Sequence, residues 1–422
     1  MKLEPMSPQM QRAHGRKVTP GVDLARAVTP DREALIAKML PVEPPRISMD
    51  EFRQMLMSAV LTGASDVTFQ SDQSPRAEIH GILYCATQRP LAATEVNQIL
   101  IESYGGANGP TEIAGRNILD YSYELNLPDG SRQRFRVNAT GIYGFDGSGV
   151  ELTFRALPSR TPDQAMVRLS DHEIEALTPR NGLVVIAGGT GSGKSTTMAA
   201  VTRHHLENIS EPRKIVDIQA PIEYTFRDIM VSMKRSSSMI GQSEVGRHIR
   251  SFADGVRSAL RRKPAIINVG EARDFETISA SLEASLTGHL VYTTTHAGNC
   301  AETIRRLLTT FPGNERESRA YDLLAALRFL MVQHLLPTVD GRGRVPVREY
   351  VKITDRLREE MIVAPINDWA KIVTDVVAGR TMLDDPQRQV CSLTDVCRTY
   401  YRDGIINRAD AVHLGGPEAV GD

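Results

Sequence analysis

The chain has 422 residues, more than one hydrophobic core usually serves, so two or three domains are expected. Charged residues make up 24% and hydrophobic residues 41%, the balance of an ordinary globular protein. A formal net charge of −1 argues against a chain held on nucleic acid by its global field, and it selects no partner.

Residues 1–47 carry Pro5, Pro8, Pro20, Pro30, Pro41, Pro44 and Pro45 among scattered charges, a pattern too broken to sustain a helix or pack a core. A largely disordered arm is expected there. Met1 to Arg12 hold no apolar signal region, and nowhere do about 18 apolar residues run together, so a soluble, cytoplasmic chain is expected. Cys85, Cys300, Cys391 and Cys397 form no C-x-x-C pair and read as reduced thiols.

From Ser48 the pattern changes. Phe52, Met55, Met57, Val60 and Leu61 predict an amphipathic helix. Strand patterns follow at Asp66 to Phe69 and Ala77 to His80, with a turn at Gly81, and again at Tyr121 to Leu125, Arg134 to Val137 and Val150 to Phe154, two of them joined by the turn Pro128-Asp129-Gly130. These make a small α+β domain over 48–158. A charged connector over 159–181 leads to four apolar segments, Leu183 to Ala187, Ile215 to Ile218, Ala265 to Val269 and Leu290 to Thr294, which alternate with helical ones. That alternation predicts a parallel sheet covered on both faces, a three-layer α/β nucleotide-binding core over 182–355. A mostly helical region and tail is expected over 356–422.

The octapeptide Gly188-Gly189-Thr190-Gly191-Ser192-Gly193-Lys194-Ser195 fits G-x-x-x-x-G-K-[ST] and follows the first of those strands directly. Its backbone N–H groups can converge on the β- and γ-phosphates of ATP, Lys194 adds a point charge, and the Ser195 hydroxyl can hold Mg²⁺. Thr196 continues the cradle into a helix whose apolar residues are Met198, Val201 and Leu206. Ala265 to Val269 end in Gly270-Glu271, which places a carboxylate at a strand end facing the ligand crevice. Glu271 can be a general base or a charge at the start of the next helix, and both readings stay open. His289 and His296 stand on either side of the strand segment Leu290 to Thr294. Arg247, Arg250, Arg257, Arg261, Arg262 and Lys263 accompany Val245, Ile249, Phe252, Val256 and Leu260 at helical spacing, which predicts one amphipathic helix with a charged face; without overall positive charge or aromatic interleaving, direct nucleic-acid binding is not expected.

The phosphate loop, Pro221-Ile222-Glu223-Tyr224, Val269-Gly270-Glu271-Ala272-Arg273-Asp274 and Thr287-Gly288-His289-Leu290-Val291 resemble, in order and spacing, the secretion ATPase superfamily of PilT/GspE-like hexameric motors. The resemblance covers roughly 48–355. It implies a RecA-like P-loop NTPase core behind a PAS-like N-terminal α+β domain, with ATP and Mg²⁺ as cofactors. Its Walker A, Asp, Walker B and His boxes match Gly188 to Ser195, Asp217 to Glu223, Ile266 to Glu271 and Thr287 to His296. Glu223, Glu271, His289 and His296 are thereby implied at the active site. Leu61-Thr62-Gly63-Ala64-Ser65-Asp66-Val67 is similar to the family's G-A-S-D-L segment and Arg134-Phe135-Arg136-Val137-Asn138 to its R-F-R-V-N strand. In such motors N-domain arginines approach the γ-phosphate, some across the subunit boundary, and Arg134, Arg136 and Arg155 are the matching positions. The alternative is that these arginines line the polar face of an antiparallel sheet.

The Asp box departs from the family's T-x-E-D-P-I-E, since Gln219 and Ala220 stand where two carboxylates are usual. Asp217 lies on the same face of an extended strand as Gln219 and could replace part of the charge, so restoring Gln219→Glu with Ala220→Asp is expected to keep or raise turnover. Leu260-Arg261-Arg262-Lys263-Pro264 with Glu271-Ala272-Arg273-Asp274, and Gly341-Arg342-Gly343-Arg344 with Arg348-Glu349-Tyr350, look most like the type IVB secretion (DotB-like) and IncI-type conjugal transfer ATPases. That branch implies a cytoplasmic homo-hexamer, recruited peripherally to the inner membrane by other ATPases and membrane components of a secretion or transfer complex. A hinge near Ser159 to Arg168 would let the N-domain move against the core. A type IV pilus assembly or retraction ATPase and a slowly hydrolysing, nucleotide-gated scaffold are the alternatives.

Overall fold

The computed structural model describes residues 43–79, 82–127, 132–158, 160–232, 237–341, 343–381, 385 and 387–421. The arm expected over 1–47 lies outside the described residues as far as residue 42, as do His80, Gly81, the turn Pro128-Asp129-Gly130, Ser159 and Arg342. By contact the chain forms two compact units, residues 1–118 with 139–155, and residues 119–138 with 156–422.

Helix α1 (Met49–Leu61) opens the first unit with a reciprocal cap, in which Ser48 accepts from the Glu51 N–H and the Glu51 carboxylate accepts from the Ser48 N–H. Its buried face carries Phe52, Met55, Leu56 and Ala59. Strands β1 (Ala64–Gln70), β2 (Arg76–Ile79), β3 (Ile82–Cys85) and β6 (Gly149–Ala156) lie side by side in the order β3-β2-β1-β6, while β4 (Leu119–Asn126) and most of β5 (Arg132–Ile142) fall in the second unit. Phe52 packs edge-on against Phe69 and Phe154, with ring centroids 5.4 and 5.5 Å away, so the helix is anchored to β1 and β6 by aromatic contact. Glu95 in helix α2 (Ala93–Tyr104) accepts from the Ile47 N–H at 2.7 Å, and Glu43 accepts from the N–H groups of Gln88 and Arg89. Residues 43–47, placed in the arm on composition, are therefore fastened to the first unit by charge-assisted hydrogen bonds.

In the second unit the linker ends at helix α3 (Asp171–Leu177). Strand β7 (Gly182–Ala187) and helix α4 (Lys194–Glu207) flank the phosphate loop. They are followed by β8 (Lys214–Gln219), β9 (Met239–Glu244), α5 (Phe252–Leu260), β10 (Ile266–Val269), α6 (Phe275–Leu286), β11 (Leu290–Thr295), α7 (Cys300–Thr310), α8 (Arg316–Ala326), β12 (Leu327–Pro337), β13 (Arg344–Lys352), α9 (Asp355–Val363), α10 (Trp369–Val377), β14 (Val390–Cys391), α11 (Leu393–Arg402) and α12 (Arg408–Gly415). The eight-stranded sheet has the order β14-β13-β12-β7-β11-β10-β8-β9. Neighbours from β12 to β9 run parallel, while β13 and β14 return antiparallel at one edge.

Alternate residues of β7 enter two separate cores. Leu183, Val185 and Ala187 pack with Val256, Ile278, Leu282, Ile304 and Leu307, whereas Val184 and Ile186 pack with Met198, Val201 and Leu206. Burial on both faces explains why the strand is a continuous apolar run, and the fold is the expected RecA-like α/β core. No helix among the described residues is long and apolar enough to cross a membrane, and all four cysteines are free thiols.

The sheet is wider than the four apolar segments predicted. Edge strand β9 has only a weak apolar pattern, and β12 follows α8 without a turn residue, so its apolar run is not separable from the helix by periodicity. The single helix expected from Val245 to Leu260 is also corrected. Val245 still pairs with the sheet, its N–H donating to the Gln219 carbonyl, Gly246 turns the chain at φ +84°, and α5 begins only after Ser251, whose hydroxyl accepts from the Asp254 N–H.

Candidate active site

Parallel strands all end on one edge of the sheet, and the sequence motifs converge there: the phosphate loop after β7, Pro221 to Tyr224 after β8, Gly270 and Glu271 after β10, and His296 after β11. The loop turns through left-handed backbone at Gly191 and Gly193, with φ of +74° and +85°. Gly193 is also the N-cap of α4 and has no side chain to satisfy the first helical N–H groups. Those donors, on Ser195, Thr196 and their neighbours, are thus directed at the concavity formed by Gly188 to Gly193, a fit for phosphate oxygens.

Lys194 Nζ donates to the carbonyls of Gly188 and Gly189 at 3.0 and 2.9 Å, so the ammonium lies across the loop. Burial lowers its pKa, while the nearby charges of Glu271 and Glu223 oppose that shift. Thr196 shares a 3.0 Å hydrogen bond with the Tyr224 hydroxyl, which ties the start of α4 to the segment carrying Glu223.

Glu271 sits two residues past β10. One carboxylate oxygen lies 2.7 Å from the Arg273 guanidinium and the other 3.2 Å from Nε2 of His296. Helix α6 starts four residues later and is capped by Asp274, which accepts from the Thr277 N–H at 2.7 Å. The alternative reading of Glu271 as that helix's terminal charge is therefore not met, and the residue faces the strand-end crevice instead.

Behind the phosphate loop lies Asp217, 2% exposed. Gln219 Nε2 donates to one of its oxygens at 2.7 Å and Gln242 Nε2 to the other at 2.8 Å. Burial raises the pKa of this carboxyl, against the hydrogen bonds from Gln219, Gln242 and Asn268 that favour its charged form. A cavity of about 20 Å³ separates it from Ser195, with Asn268 and Glu223 also in its walls. Among the described residues no cluster of three or more His, Cys, Asp or Glu could hold a metal by itself. A divalent ion here would rest on the Ser195 hydroxyl and on phosphate oxygens, which suits Mg²⁺.

The three arginines have different surroundings. Arg134 is 9% exposed and donates to the Glu223 carbonyl at 3.1 Å and to the Ser122 hydroxyl at 3.3 Å. Arg136 pairs with Asp120 at 3.4 Å, and Arg155, in the first unit, pairs with Asp66 at 2.8 Å. His289 is not brought to the site. It precedes Leu290, which pairs with Gly182 at the beginning of β7, so it occupies the sheet edge opposite the phosphate loop, roughly 20 Å from His296 along the strand. There Nδ1 meets the Ala284 carbonyl at 3.1 Å and the Thr287 hydroxyl at 3.3 Å. Glu223, Glu271 and His296 share one edge with the phosphate loop; His289 does not.

Sequence reading missed Gln242 and Gln333, whose amides reach the site from β9 and β12. Neither belongs to a motif of its own; the local signal is a glutamine inside the apolar run of β12 for Gln333, and Gln242 is one of several polar residues in β9.

Residues 145–384 match the family model described as type II/IV secretion system protein. The chain is 36% identical over 278 residues to a twitching motility protein of Neisseria gonorrhoeae, covering 65% of this chain and 69% of that one. It is 30% identical over 308 residues to the type IV pilus retraction ATPase PilT of Pseudomonas aeruginosa, covering 73% and 84%. Among solved structures, the X-ray structure of the Legionella pneumophila ATPase DotB superposes with a TM-score of 0.79 at 37% identity, covering 89% of this chain and 97% of that one. The crystal structure of the pilus retraction motor PilT with bound ADP gives a TM-score of 0.70 at 30% identity, covering 88% and 97%.

Proposed function

Because the chain belongs to the type II/IV secretion system protein family, a family of ATPases, we propose that it is a hexameric motor whose ATP hydrolysis energises a type IVB secretion or conjugative transfer apparatus. The observation that carries the chemistry is the placement of Glu271 at the strand end on the phosphate-loop side of the sheet, between Arg273 at 2.7 Å and His296 at 3.2 Å.

ATP would lie on Gly188 to Thr196, with its β- and γ-phosphates on the loop N–H groups and Lys194, and with Mg²⁺ on Ser195. The metal, when bound, neutralises charge that develops on the transferred phosphoryl group. Glu271 orients the attacking water and accepts its proton. Arg273 and His296, one on each oxygen, fix the carboxylate's direction. Glu223, whose backbone Arg134 clamps, contributes a second negative charge near Lys194. Exposed N-domain arginines, Arg155 and Arg136, would complete a neighbouring subunit's site.

The type IVB assignment is supported by Glu271-Ala272-Arg273-Asp274 and by likeness to the DotB structure over 97% of its length. On this reading the ring is cytoplasmic and meets the inner membrane through partner ATPases and membrane components. A second reading, a slowly hydrolysing nucleotide-gated scaffold, is favoured by the amides that occupy both oxygens of Asp217.

Steady-state phosphate release by the full chain separates them. The motor reading expects sustained release that Lys194→Ala abolishes together with ADP binding, and that Glu271→Gln lowers about a hundredfold or more with ADP binding retained. Release from the parent no faster than from Glu271→Gln would favour the scaffold.

A further inference from the structure

Strand β12 pairs with β7 so that Val332 stands opposite Ala187, and the next residue, Gln333, therefore lies level with the first glycine of the phosphate loop. Gln333 is 2% exposed, and both its amide nitrogen and its amide oxygen are hydrogen-bonded. Nε2 donates to the Ser192 carbonyl at 2.6 Å, and Oε1 accepts from the Thr197 hydroxyl and from Arg348 Nε, each at 2.8 Å. The loop is moulded onto this side chain. A methyl group at Gly193 would stand 2.8 Å from Gln333 Nε2, and one at Gly188 only 2.3 Å from the backbone carbonyl oxygen of Gln333.

A trans peptide points its C=O and N–H in opposite directions. By holding the Ser192 carbonyl outward, Gln333 turns the Gly193 N–H into the cradle. It is thus a positioning residue for the phosphate site.

Arg348 is the direct cross-strand partner of Gln333 on β13 and is 5% exposed. Beyond Gln333, its guanidinium donates to the Arg168 carbonyl at 2.9 Å and to the Val167 carbonyl, and lies 3.6 Å from the Glu173 carboxylate. Arg168 ends the linker with a left-handed backbone, φ +52°, a conformation that costs free energy in a residue with a side chain. Removing this guanidinium would leave the Glu173 carboxylate and three buried acceptors without their donor, so its loss is expected to cost stability as well as any coupling.

We propose that Gln333 and Arg348 form a buried relay that couples nucleotide on the phosphate loop to the linker at Val167 and Arg168. Phosphates that settle on the Gly193 N–H pull on the same peptide whose carbonyl Gln333 holds, and the Gln333 amide is drawn with it. Arg348 follows, because its planar fork donates to Gln333 and to the linker at once. The linker carbonyls then shift between two hydrogen-bonded arrangements. The inference rests on the ATP-binding reading of the loop.

The test is hydrogen exchange of linker amides 160–170 in the full chain with and without ADP and Mg²⁺, alongside titration with a fluorescent ADP. In the parent, ADP is expected to change linker exchange severalfold. Gln333→Glu keeps the acceptor for Thr197 and Arg348 but loses the donor to Ser192, and should weaken ADP about tenfold. Arg348→Met should bind ADP within a few-fold of the parent yet lose the linker response. Should that variant melt at assay temperature, Arg348→Lys, which keeps the charge without the fork, is expected to show the same loss. A linker response in both Arg348 variants equal to the parent's, or parent-like ADP affinity in Gln333→Glu, overturns the relay. A parent that binds ADP without any linker response overturns the relay alone, whereas a parent that does not bind ADP overturns the nucleotide reading beneath it.

Discussion

Gln219 donates through Nε2 to Oδ1 of Asp217 at 2.7 Å, so the amide that replaces a usual carboxylate is the hydrogen-bond partner of a relocated one. With Gln242 on Oδ2, the buried carboxyl sits in a cage of donors. This reverses the expectation that restoring the family's carboxylates would keep or raise turnover. Gln219→Glu would set two carboxylates against each other in a buried site, and one must take up a proton or move. The double variant Gln219→Glu, Ala220→Asp is expected to unfold at lower temperature, by a free energy of roughly 1–3 kcal/mol, and to release phosphate more slowly than the parent. Adding Asp217→Asn should recover part of both losses. A double variant as stable as the parent and faster would show that the cage does not constrain the site.

The two histidines of the His box should behave differently. His296→Ala removes one of the two groups that flank Glu271, leaving Arg273 on the other oxygen, and should lower turnover by roughly tenfold, with ADP affinity little changed. His289 lies at the opposite sheet edge, where it ties the turn between α6 and β11. His289→Ala should cost about 1 kcal/mol of stability and leave turnover within about twofold. Equal losses of turnover from both substitutions would refute this division.

Arg134 and Arg155 are separable by mixing subunits. Arg134 clamps the Glu223 carbonyl within its own chain, so Arg134→Met should destabilise the protein by about 2 kcal/mol, and its turnover should not recover when mixed with Glu271→Gln subunits. Arg155 is two-thirds exposed and its ion pair with Asp66 contributes little to stability, about 0.5 kcal/mol. Arg155→Ala subunits should regain activity in mixed rings if the guanidinium acts across the interface. Recovery by Arg134→Met and none by Arg155→Ala would invert the assignment.

Acid should weaken the core through His205. Its Nε2 meets the Tyr292 hydroxyl at 2.8 Å, and that hydroxyl donates to the Leu177 carbonyl, so the neutral imidazole is the donor. Burial pushes the imidazole pKa down to about 3 from an ordinary 6.5, with the charges of His204 and Arg213 acting the same way. The folded state therefore takes up this proton only near pH 3, while the unfolded chain takes it up near 6.5. Stability from this group is complete above pH 6.5 and falls as pH drops toward 3, by at most about 1.4 kcal/mol per pH unit. His205→Gln should flatten the parent's loss of stability between pH 6.5 and 4.5 by about that slope in urea titrations. Parallel curves for the two proteins would show that His205 does not titrate in this range.

The phosphate loop, Glu271 and the strand preceding each were legible in the sequence because their information is local. Contiguous glycines set the left-handed turns, a continuous apolar run marks a strand buried on both faces, and the end of a parallel strand is where a ligand crevice opens. Other features depended on pairing between distant segments. Gln333 reaches Ser192 across 141 residues of chain, Gln242 reaches Asp217 from an edge strand with little apolar character, and Arg348 meets Gln333 only because β13 folds back beside β12. The position of His289 is of the same kind. Its motif reads alike at both ends of a strand, but the direction in which β11 runs beside β7 assigns one end to the nucleotide edge and the other to the opposite edge. Periodicity reports which face a residue presents to its own element, while sheet order and strand direction are set by burial and hydrogen bonding among segments far apart in the chain, and no local window of residues contains them.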